Sequence, residues 1–537
     1  MKKEKPDKLT PQQSKKTKNA SIVDGAGYGV MFGLGEQYVP AYAIKLGASN
    51  AAVGVLSSVP AFIASFSQII GASLTDHYKD RKKITSVSVL LQAISLLPLF
   101  LLPLLTHNIL LLTIIFSLYL AFGNIGGAAW NSWMGDVVEE NERAKYFGLR
   151  SKVNIVVLSI SILLGGVILN HFSDKNIWLG FGILFFVAFI GRMVSFFYLQ
   201  KHYEPRYVID ERKSLTIKEF IKTAPGTNFG SFVLFRSLFS VGIMIAAPFF
   251  AVYMLKNLDF TYMQYTTIVL VPMVVKFFTI QYWGKHSEKF GTRNIMYISI
   301  FLICLVPLAW FFSGLFFEGR PDIFFFIILS EAISGFGWGG FELTSFNYML
   351  ETVEPQKRAK SFAYFNAFWG VGILTGGLIG SYLAKSMPTD LMLAGVNIIL
   401  FLFLISFIGR SIVAFIFMTK IKEVKVNKSI NQRELFLELA VLKPVDIVFN
   451  RTSNLLAAVE KELDRDIEFI AAPAKRTFRV IFEPIEDFVD RITGEEKYEN
   501  KIRYVKKVAR KRFKGKPRKP VKAKKRKNKQ KSKPKSQ

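Results

Sequence analysis

Arg143-Ala144-Lys145-Tyr146-Phe147 and Arg358-Ala359-Lys360-Ser361-Phe362 are two similar stretches that lie 215 residues apart, each after a hydrophobic span. An acidic turn precedes each copy, Asp136 to Glu139 in the first and Glu351 to Glu354 in the second. Such a repeat predicts two copies of one six-span unit, an arrangement typical of proteins that move a substrate across the bilayer at the seam between the copies. Three further pairs match in the same order: Tyr42 to Lys45 with Tyr253 to Lys256, Val59-Pro60 with Val271-Pro272, and Phe189 to Arg192 with Phe407 to Arg410.

Composition places the chain in a membrane. Hydrophobic residues make up 51% of the 537 positions, and 51 of them are phenylalanine, which is more apolar side chain than one soluble core needs. Apolar windows of about 20 residues are long enough to cross the bilayer as helices. The chain is therefore predicted to be an all-α membrane protein. Twelve spans are predicted, near 23–44, 51–74, 85–105, 109–134, 152–170, 177–200, 230–255, 261–283, 293–316, 322–349, 361–385 and 391–419.

The formal charge of +30 is distributed unevenly. Residues 501–537 contain 20 Lys or Arg and no acid, whereas the loops expected on the outer face hold few basic residues. Because basic loops stay inside, both termini are expected in the cytoplasm and the protein in the cell membrane. The expected parts are a basic N-terminus (1–20), an N-terminal six-helix bundle (21–200), a central cytoplasmic loop (201–229), a C-terminal six-helix bundle (230–420), an amphipathic helical segment (421–500) and a disordered Lys/Arg-rich tail (501–537).

The tail is a separate piece with its own expected partners. Contact with anionic lipid headgroups is its simplest role, because it is tethered beside the inner leaflet. A solubilising role comes next, and nucleic-acid binding is the weakest alternative because aromatic residues are not interleaved with the basic ones. The acidic faces of the segment 421–500 favour packing on itself or on a protein partner. The lone Cys304 excludes an intrachain disulfide and a thiol metal site, no cofactor is expected, and a monomer is expected.

Two loops carry a motif that resembles the major facilitator superfamily. Its members have the pattern G-x-x-x-D-R-x-G-R-R between spans 2 and 3 and again between spans 8 and 9. The first copy here is degraded, with Asp76 at the acidic position but Ala72 in place of the glycine, and Arg81 and Lys82 follow. The second copy of the motif is better kept, with Gly284, Glu288, Lys289, Gly291 and Arg293 at the required spacing. In addition, the run from Trp130 to Asp136 is similar to a loop of prokaryotic members of the family.

The resemblance covers residues 20 to 420 and implies a fold of twelve transmembrane helices in two pseudo-symmetric bundles. A carboxylate at a helix end that faces a cation on a neighbouring helix can hold the cytoplasmic side closed in one state. The alternative is that such charges only anchor helix ends and set the topology. The candidate gating residues are Asp76, Arg81, Asp136, Arg143, Gly284, Glu288, Lys289, Gly291, Arg293, Glu351 and Arg358.

In this family spans 1, 4, 7 and 10 line the central cavity, so polar residues there are the candidate site. Glu36, next to Gln37 in span 1, lies about 18 Å along the helix from Asp24 and therefore near mid-membrane. Glu331 lies at a similar depth in span 10. A carboxylate at that depth must be paired, hydrated or protonated. We expect a proton-coupling site or a receptor for a cationic group, and the alternative is that each glutamate only bonds a neighbouring helix. Glu331 shares a stripe with Ser334, Gly335, Trp338, Gly339 and Glu342.

Other polar residues leave alternatives open. Asn124 and Asn131 lie seven residues apart in span 4 and either line the cavity or join helices. Arg236 and Lys276 could pair with a glutamate or attract an anionic cargo, although snorkelling to the interface is the favoured interpretation. For Arg192 and Arg410, snorkelling and a gating role are balanced.

Two functions from different classes follow. The first is a secondary transporter that moves a small organic solute by alternating access, with Glu36 and Glu331 coupling transport to protons. The second is a non-transporting receptor or anchor whose tail binds lipid, RNA or a protein. The polar stripe at mid-membrane favours the first. An enzyme is not expected, because no nucleophile with a base partner, metal-ligand cluster or phosphate loop is found. The substrate and the direction of transport are left open.

Overall fold

The computed structural model describes residues 8–207, 217–354, 358–386 and 397–424. Within these ranges the chain is helical and no strand occurs. The basic tail and all but the first four residues of the predicted helical segment 421–500 lie outside the described residues. The helices are α1 (Pro11–Leu34), α2 (Val39–Lys45), α3 (Asn50–Tyr78), α4 (Arg81–Ile94), α5 (Leu97–Leu105), α6 (Ile109–Val137), α7 (Arg143–Phe172), α8 (Ile177–Gln200), α9 (Ile217–Thr223), α10 (Asn228–Val252), α11 (Tyr262–Phe290), α12 (Thr292–Phe317), α13 (Ile323–Thr352), α14 (Arg358–Ser386) and α15 (Ile398–Met418).

Eleven helical spans in the described part are long and apolar enough to cross a membrane. The first predicted span is not among them. It is divided by a 3-10 turn at Glu36–Tyr38 between α1 and α2, and α1 begins with a polar stretch. Thr10 and Gln13 form a capping box at the start of α1, so the helix reaches back into the predicted basic N-terminus. The first span is thus present as a broken helix.

The helices form two six-span bundles that pack in the same way. In the first half, α1 packs against α7 and α8, and α6 packs against α3 and α4. In the second half, α10 packs against α14 and α15, and α13 packs against α11 and α12. Each packed pair of helices in the first half has an equivalent pair in the second half. The duplication seen in the sequence therefore extends to tertiary packing.

The halves meet at two seams, α3 against α14 and α7 against α11. At the first seam a β-carbon on Gly377 would overlap Ser58, and one on Gly54 would overlap Ser381. Small residues therefore allow these helices to come close. We call the end of the molecule that holds Arg81, Arg143 and Arg358 the terminal end, and the end that holds α2 the distal end.

Candidate functional site

Hydrogen bonds between the halves gather toward the distal end. The Tyr38 hydroxyl lies 2.5 Å from the Ile162 carbonyl and 2.9 Å from the Thr266 hydroxyl of the other half. The Tyr265 hydroxyl donates to the Gln37 carbonyl at 3.4 Å, and Lys256 Nζ donates to the Ala48 carbonyl at 2.7 Å. A β-carbon on Gly166 would overlap Thr266, so the two halves are tightly packed here.

Glu36 lies in the break of the first span. Gly35 ends α1, and Glu36 opens the 3-10 turn that leads into α2. Glu36 lies nine residues before Lys45, the last residue of α2, or about 14 Å along the helix at 1.5 Å per residue. The Tyr119 hydroxyl of α6 donates to Glu36 Oε2 at 3.3 Å, and the side chain is partly exposed. The break therefore places a carboxylate between the first and fourth spans, beside a hydroxyl group.

A buried charge cluster lies on the terminal side of this break. The Asp24 carboxylate accepts hydrogen bonds from Arg150 Nη2 at 3.2 Å and from the Ser195 hydroxyl. Ser195 accepts in turn from Arg192 Nη1 at 3.1 Å, and the Arg192 guanidinium lies 5.4 Å from the centre of the Tyr28 ring. Arg192 is only 6% exposed, so the snorkelling alternative is wrong for this residue. Sequence reasoning treated Asp24 only as a marker of depth and missed the cluster.

Glu331 is held inside the second half. Trp310 Nε1 of α12 donates to Glu331 Oε1 at 2.8 Å, and the carboxylate is within range of a Coulomb interaction with Arg410. Arg410 is 3% exposed and donates to the Ile303 carbonyl at 3.2 Å, so snorkelling is wrong here too. Neither glutamate has the other among its contacts. The two carboxylates belong to separate halves and are not brought together.

A chain of amide side chains crosses the α3–α14 seam. Gln68 Nε2 donates to Asn124 Oδ1 at 2.9 Å, and Asn366 Nδ2 donates to Gln68 Oε1 at 2.8 Å. Gln68 therefore joins Asn124 of α6 to Asn366 of α14 in the other half. Asn131, the second asparagine of the fourth span, is exposed. The shared face predicted for the two asparagines does not give them a shared contact.

Charged and aromatic residues meet on the terminal side of the second half. Lys276 Nζ pairs with Glu342 Oε2 at 3.0 Å, and the two side chains are 37% and 49% exposed. The Arg236 guanidinium carbon lies 5.8 Å from the centre of the Trp338 ring. Lys276 thus pairs with a glutamate, which is one of the alternatives predicted from the sequence. Of the predicted stripe, Trp338 and Glu342 have cationic partners from other helices.

At the terminal end of the first half, Arg81 is fully buried and its side chain joins two carboxylates. Its Nη1 lies 2.5 Å from Asp136 Oδ2, and its Nε lies 3.3 Å from Glu204 Oε1. The Arg81 backbone N–H also donates to Glu204 Oε1 at 2.9 Å. Asp76, the acidic residue of the degraded motif, instead accepts from the Tyr207 hydroxyl at 2.8 Å. These contacts stay within the first half and its exit loop.

The second motif copy has different bonds. Gly291 adopts a φ of +94°, which favours glycine, and ends α11. The backbone N–H of Arg293 donates to Glu423 Oε2 at 3.0 Å, and its Nε donates to the Tyr297 hydroxyl at 3.0 Å. Glu351 accepts from the Thr292 hydroxyl at 2.9 Å. The remaining motif residues lie on the last turns of α11: Gly284, exposed Glu288, and Lys289, whose Nζ lies 4.6 Å from the centre of the Phe290 ring.

The arginines of the repeated motif bind the preceding helix in the same way. Arg143 Nε and Nη2 donate to the carbonyls of Val138 and Gly135 at 3.2 and 2.8 Å. Arg358 Nε and Nη2 donate to the carbonyls of Val353 and Leu350 at 3.1 and 2.8 Å. Each guanidinium therefore satisfies free carbonyls at a helix C-terminus, where a cation is favourable.

Comparisons with known proteins agree with this architecture. The Major Facilitator Superfamily model matches residues 25–245 and 232–459. The "MFS transporter L2" of Phoma sp. is 29% identical over 104 residues, 19% of this chain, and the match spans only 16% of that relative. An auto-inhibited POT family peptide transporter has a TM-score of 0.60 at 12% identity and covers 79% of this chain and 99% of its own. The nucleoside transporter NupG has a TM-score of 0.56 at 16% identity and covers 76% of this chain and 99% of its own.

Proposed function

The chain belongs to the major facilitator superfamily, and from that premise we propose that it is a secondary active transporter of a small organic solute. It works by alternating access in the cell membrane, and protons drive it. The terminal end faces the cytoplasm. The hydrogen bonds between Tyr38 and Thr266 and between Tyr265 and Gln37 are then the closed outer gate, and the structure is an inward-facing state.

Glu36 is the observation that carries the proposal. A helix break within the membrane frees backbone groups and occurs where the chain lines a cavity. Glu36 lies in such a break, is partly exposed, and bonds to Tyr119 on the opposite cavity helix. Burying an ionised carboxylate in hydrocarbon costs about 2.5–3.5 kcal/mol, so closing the cavity around Glu36 favours its protonated form. Proton uptake and cavity closure are thereby coupled.

Glu331 has a different role in the proposal. Its bond to Trp310 ties two helices of the same half together. This contact supports the helix-to-helix alternative for Glu331. Proton coupling then rests on Glu36 alone, and Asn124 and Trp338 belong to the solute pathway.

The residues of the terminal end form the inner gate. In this state their contacts join segments of the same half, as the hydrogen bonds of Arg81 with Glu204 and of Arg293 with Glu423 do. Asp76 and Glu288 are exposed acids at this end and contribute contacts to the closed-inside state. A rim that closes in only one state is what alternating access requires.

The test is solute uptake into proteoliposomes under an imposed pH gradient. Wild type is compared with Glu36→Gln, Glu331→Gln and the control Glu140→Gln, whose side chain lies in an exposed turn. We expect Glu36→Gln to lose gradient-driven accumulation but to keep exchange of solute between the two sides. Glu331→Gln should keep the pH dependence with a lower melting temperature, and Glu140→Gln should match wild type.

Two results would contradict this assignment. Unchanged pH dependence in Glu36→Gln would remove the coupling role of that residue. Absence of any uptake by wild type across amino acids, sugars, nucleosides and organic acids would favour the receptor or anchor alternative, whose tail lies outside the described residues. Deleting residues 425–537 then decides it, because loss of the cellular role with transport intact assigns that role to the tail.

A further inference from the structure

Arg236 occupies an unusual position in α10. It lies eight residues from Asn228, or about 12 Å into the helix from the terminal end. Three rings from two other helices surround its guanidinium carbon: Phe341 at 4.6 Å, Trp369 at 5.1 Å and Trp338 at 5.8 Å from the ring centres. Phe341 is fully buried, while the two tryptophans and Arg236 are partly exposed. The cage is therefore open on one side.

The rings compensate the positive charge of Arg236 but do not accept hydrogen bonds from its N–H groups. An arginine carries five N–H donors and needs oxygen acceptors for them, which an aromatic face does not supply. Its Nη1 is buried and has no partner among the described residues. Three other arginines of the spans each have at least one oxygen acceptor: Arg150 has the Asp24 carboxylate, Arg192 has Ser195, and Arg410 has the Ile303 carbonyl. In Arg192 and Arg410 the Nε atom also has no partner among the described residues.

The carboxylate that acts on Arg236 already has another cationic partner. Glu342 interacts electrostatically with Arg236, but its two oxygens lie 3.0 and 3.4 Å from Lys276 Nζ. The three groups together carry one excess positive charge. The side chains of Lys276 and Glu342 are 37% and 49% exposed, so water and small solutes reach this region. A positive charge that is accessible, caged and short of an acceptor is a receptor for an anion.

We propose that Arg236 and its cage of Trp338, Phe341 and Trp369 bind the oxyanion of a small organic acid, whose carboxylate accepts hydrogen bonds from the guanidinium. The exposed edges of Trp338 and Trp369 hold the apolar body of the acid. The inference rests on the proposed function and narrows its substrate class from organic solutes to organic anions. Glu36 lies in the other half and stays free to carry the proton.

The first experiment measures binding alone. Isothermal titration calorimetry of the purified full chain in a neutral detergent uses acetate, benzoate and 2-naphthoate, with benzamide and benzylamine as neutral and cationic analogues of benzoate. We expect affinity to rise from acetate to naphthoate, and benzamide and benzylamine to bind at least tenfold more weakly than benzoate. Phenyl phosphate is included to separate a carboxylate site from a phosphate site, and tighter binding of phenyl phosphate overturns the carboxylate assignment.

Variants then test the residue. Arg236→Gln should weaken benzoate binding at least tenfold and abolish its advantage over benzamide, whereas Arg236→Lys should weaken it only a few-fold. Arg320→Gln is the matched control, because Arg320 is an exposed arginine paired with Asp322 at the distal end. Trp369→Leu gives a second test of the cage and should selectively weaken the larger acids. Size-exclusion profiles confirm that each variant is folded.

Three outcomes overturn the proposal: no saturable binding of any acid to wild type, equal binding of benzoate and benzamide, or unchanged benzoate affinity in Arg236→Gln. Repeating the titration in nanodiscs of phosphatidylcholine and of phosphatidylglycerol identifies a lipid occupant, because competition by phosphatidylglycerol would assign the site to a headgroup. Benzoate binding without any transport would refute the proposed function and leave this site standing. Proton-driven uptake of neutral solutes without acid binding would refute the Arg236 site and leave the proposed transport function standing.

Discussion

At the terminal end, the two halves share the same backbone contacts but differ in their side-chain contacts. In each half, a glutamate that follows the last helix accepts the backbone N–H at the start of the third span: Glu204 with Arg81, and Glu423 with Arg293. In each half, an aromatic side chain near the end of the fourth or tenth span also donates to the residue just before that glutamate. Trp133 donates to the Tyr203 carbonyl, and Tyr348 donates to the Lys422 carbonyl.

The difference lies in the charges. Asp136 binds the fully buried Arg81, whereas its counterpart Glu351 accepts only from the Thr292 hydroxyl, and its second oxygen has no partner in the described part of the chain. Duplication has preserved the positions and the backbone bonds, while the side-chain pairing has diverged. The terminal end of the first half is therefore held by ion pairs, whereas Glu351, at the same acidic position of the second half, has none among the residues that the structure describes.

The largest expected effect follows from Arg81. Replacing it with leucine removes the fully buried guanidinium that contacts Glu204, which is itself only 3% exposed, and breaking a buried pair from one side costs about 3–5 kcal/mol. Arg293→Leu should cost clearly less, because the Arg293 side chain is partly exposed whereas Arg81 is fully buried. Melting temperatures of the purified variants measure this order.

A double variant separates lost pairing from a merely misfolded protein. Adding Glu204→Gln to Arg81→Leu removes the buried negative charge that faced Arg81 and should recover part of the lost stability. If the double variant is less stable than Arg81→Leu, the buried pair is not the cause and the comparison between the halves fails.

The second prediction uses His202, which lies two residues before Glu204, at the position that Ile421 occupies before Glu423. Burial lowers the pKa of His202 from 6.5 to about 4, and its ring packs on Trp133 with 5.2 Å between centres. The unfolded chain therefore binds a proton between pH 6.5 and 4 that the folded chain excludes. Stability should fall as pH falls through this window, by about 3 kcal/mol at most.

His202→Ile gives the first half the residue of the second and isolates this effect from the titration of carboxylates. We expect the melting temperature of the variant to depend less on pH between 6.5 and 4 than that of wild type, with similar stability near pH 8. Parallel curves for the two proteins would show that His202 does not titrate in this way.

Much of the fold was predictable because it follows from hydrophobicity and duplication. Windows of about 20 apolar residues predicted the spans, and the matches around Arg143 and Arg358 predicted the two equivalent bundles. The break at Gly35 was not predictable in this way, because the apolar pattern continues across it into α2. Packing of Gly33 against α7 and of Gly35 against α8 depends on the neighbouring helices, which no local pattern reveals.

The candidate site was predictable in its residue types but not in its pairings. Glu36 and Glu331 stood out because carboxylates are costly at mid-membrane. Their partners Tyr119 and Trp310 are aromatic residues among many, and only the fold selects them. Arg192 was ambiguous because an arginine in a span can snorkel or pair. Its partner Ser195 lies one turn away in the same helix, and it is α1 that adds the Asp24 carboxylate to the cluster.

The third prediction tests where the halves are alike. Arg143 and Arg358 each donate two hydrogen bonds to carbonyls of the preceding helix end, so replacing either with alanine should cost about 1–2 kcal/mol. The two variants should have similar melting temperatures. Their uptake kinetics separate helix capping from gating, because a cap changes stability with little change in KM, and a gate changes the transport rate of a folded protein. A large loss from only one of them would show that these equivalent contacts have diverged in function.

The smallest effects are expected at the acids in the last turns of α6 and α13, Asp136 and Glu351. Asp136 is 54% exposed, so solvent screens its pair with Arg81, and Asp136→Asn should cost no more than about 1 kcal/mol. Glu351→Gln should change stability by less, because an amide oxygen still accepts from the Thr292 hydroxyl. The deficit of Asp136→Asn should shrink in about 1 M NaCl, where the Debye length is about 3 Å, while Glu351→Gln should be insensitive to salt. Equal costs with equal salt dependence would mean that the second half also relies on an ion pair at this position, and the contrast between the two ends would then disappear.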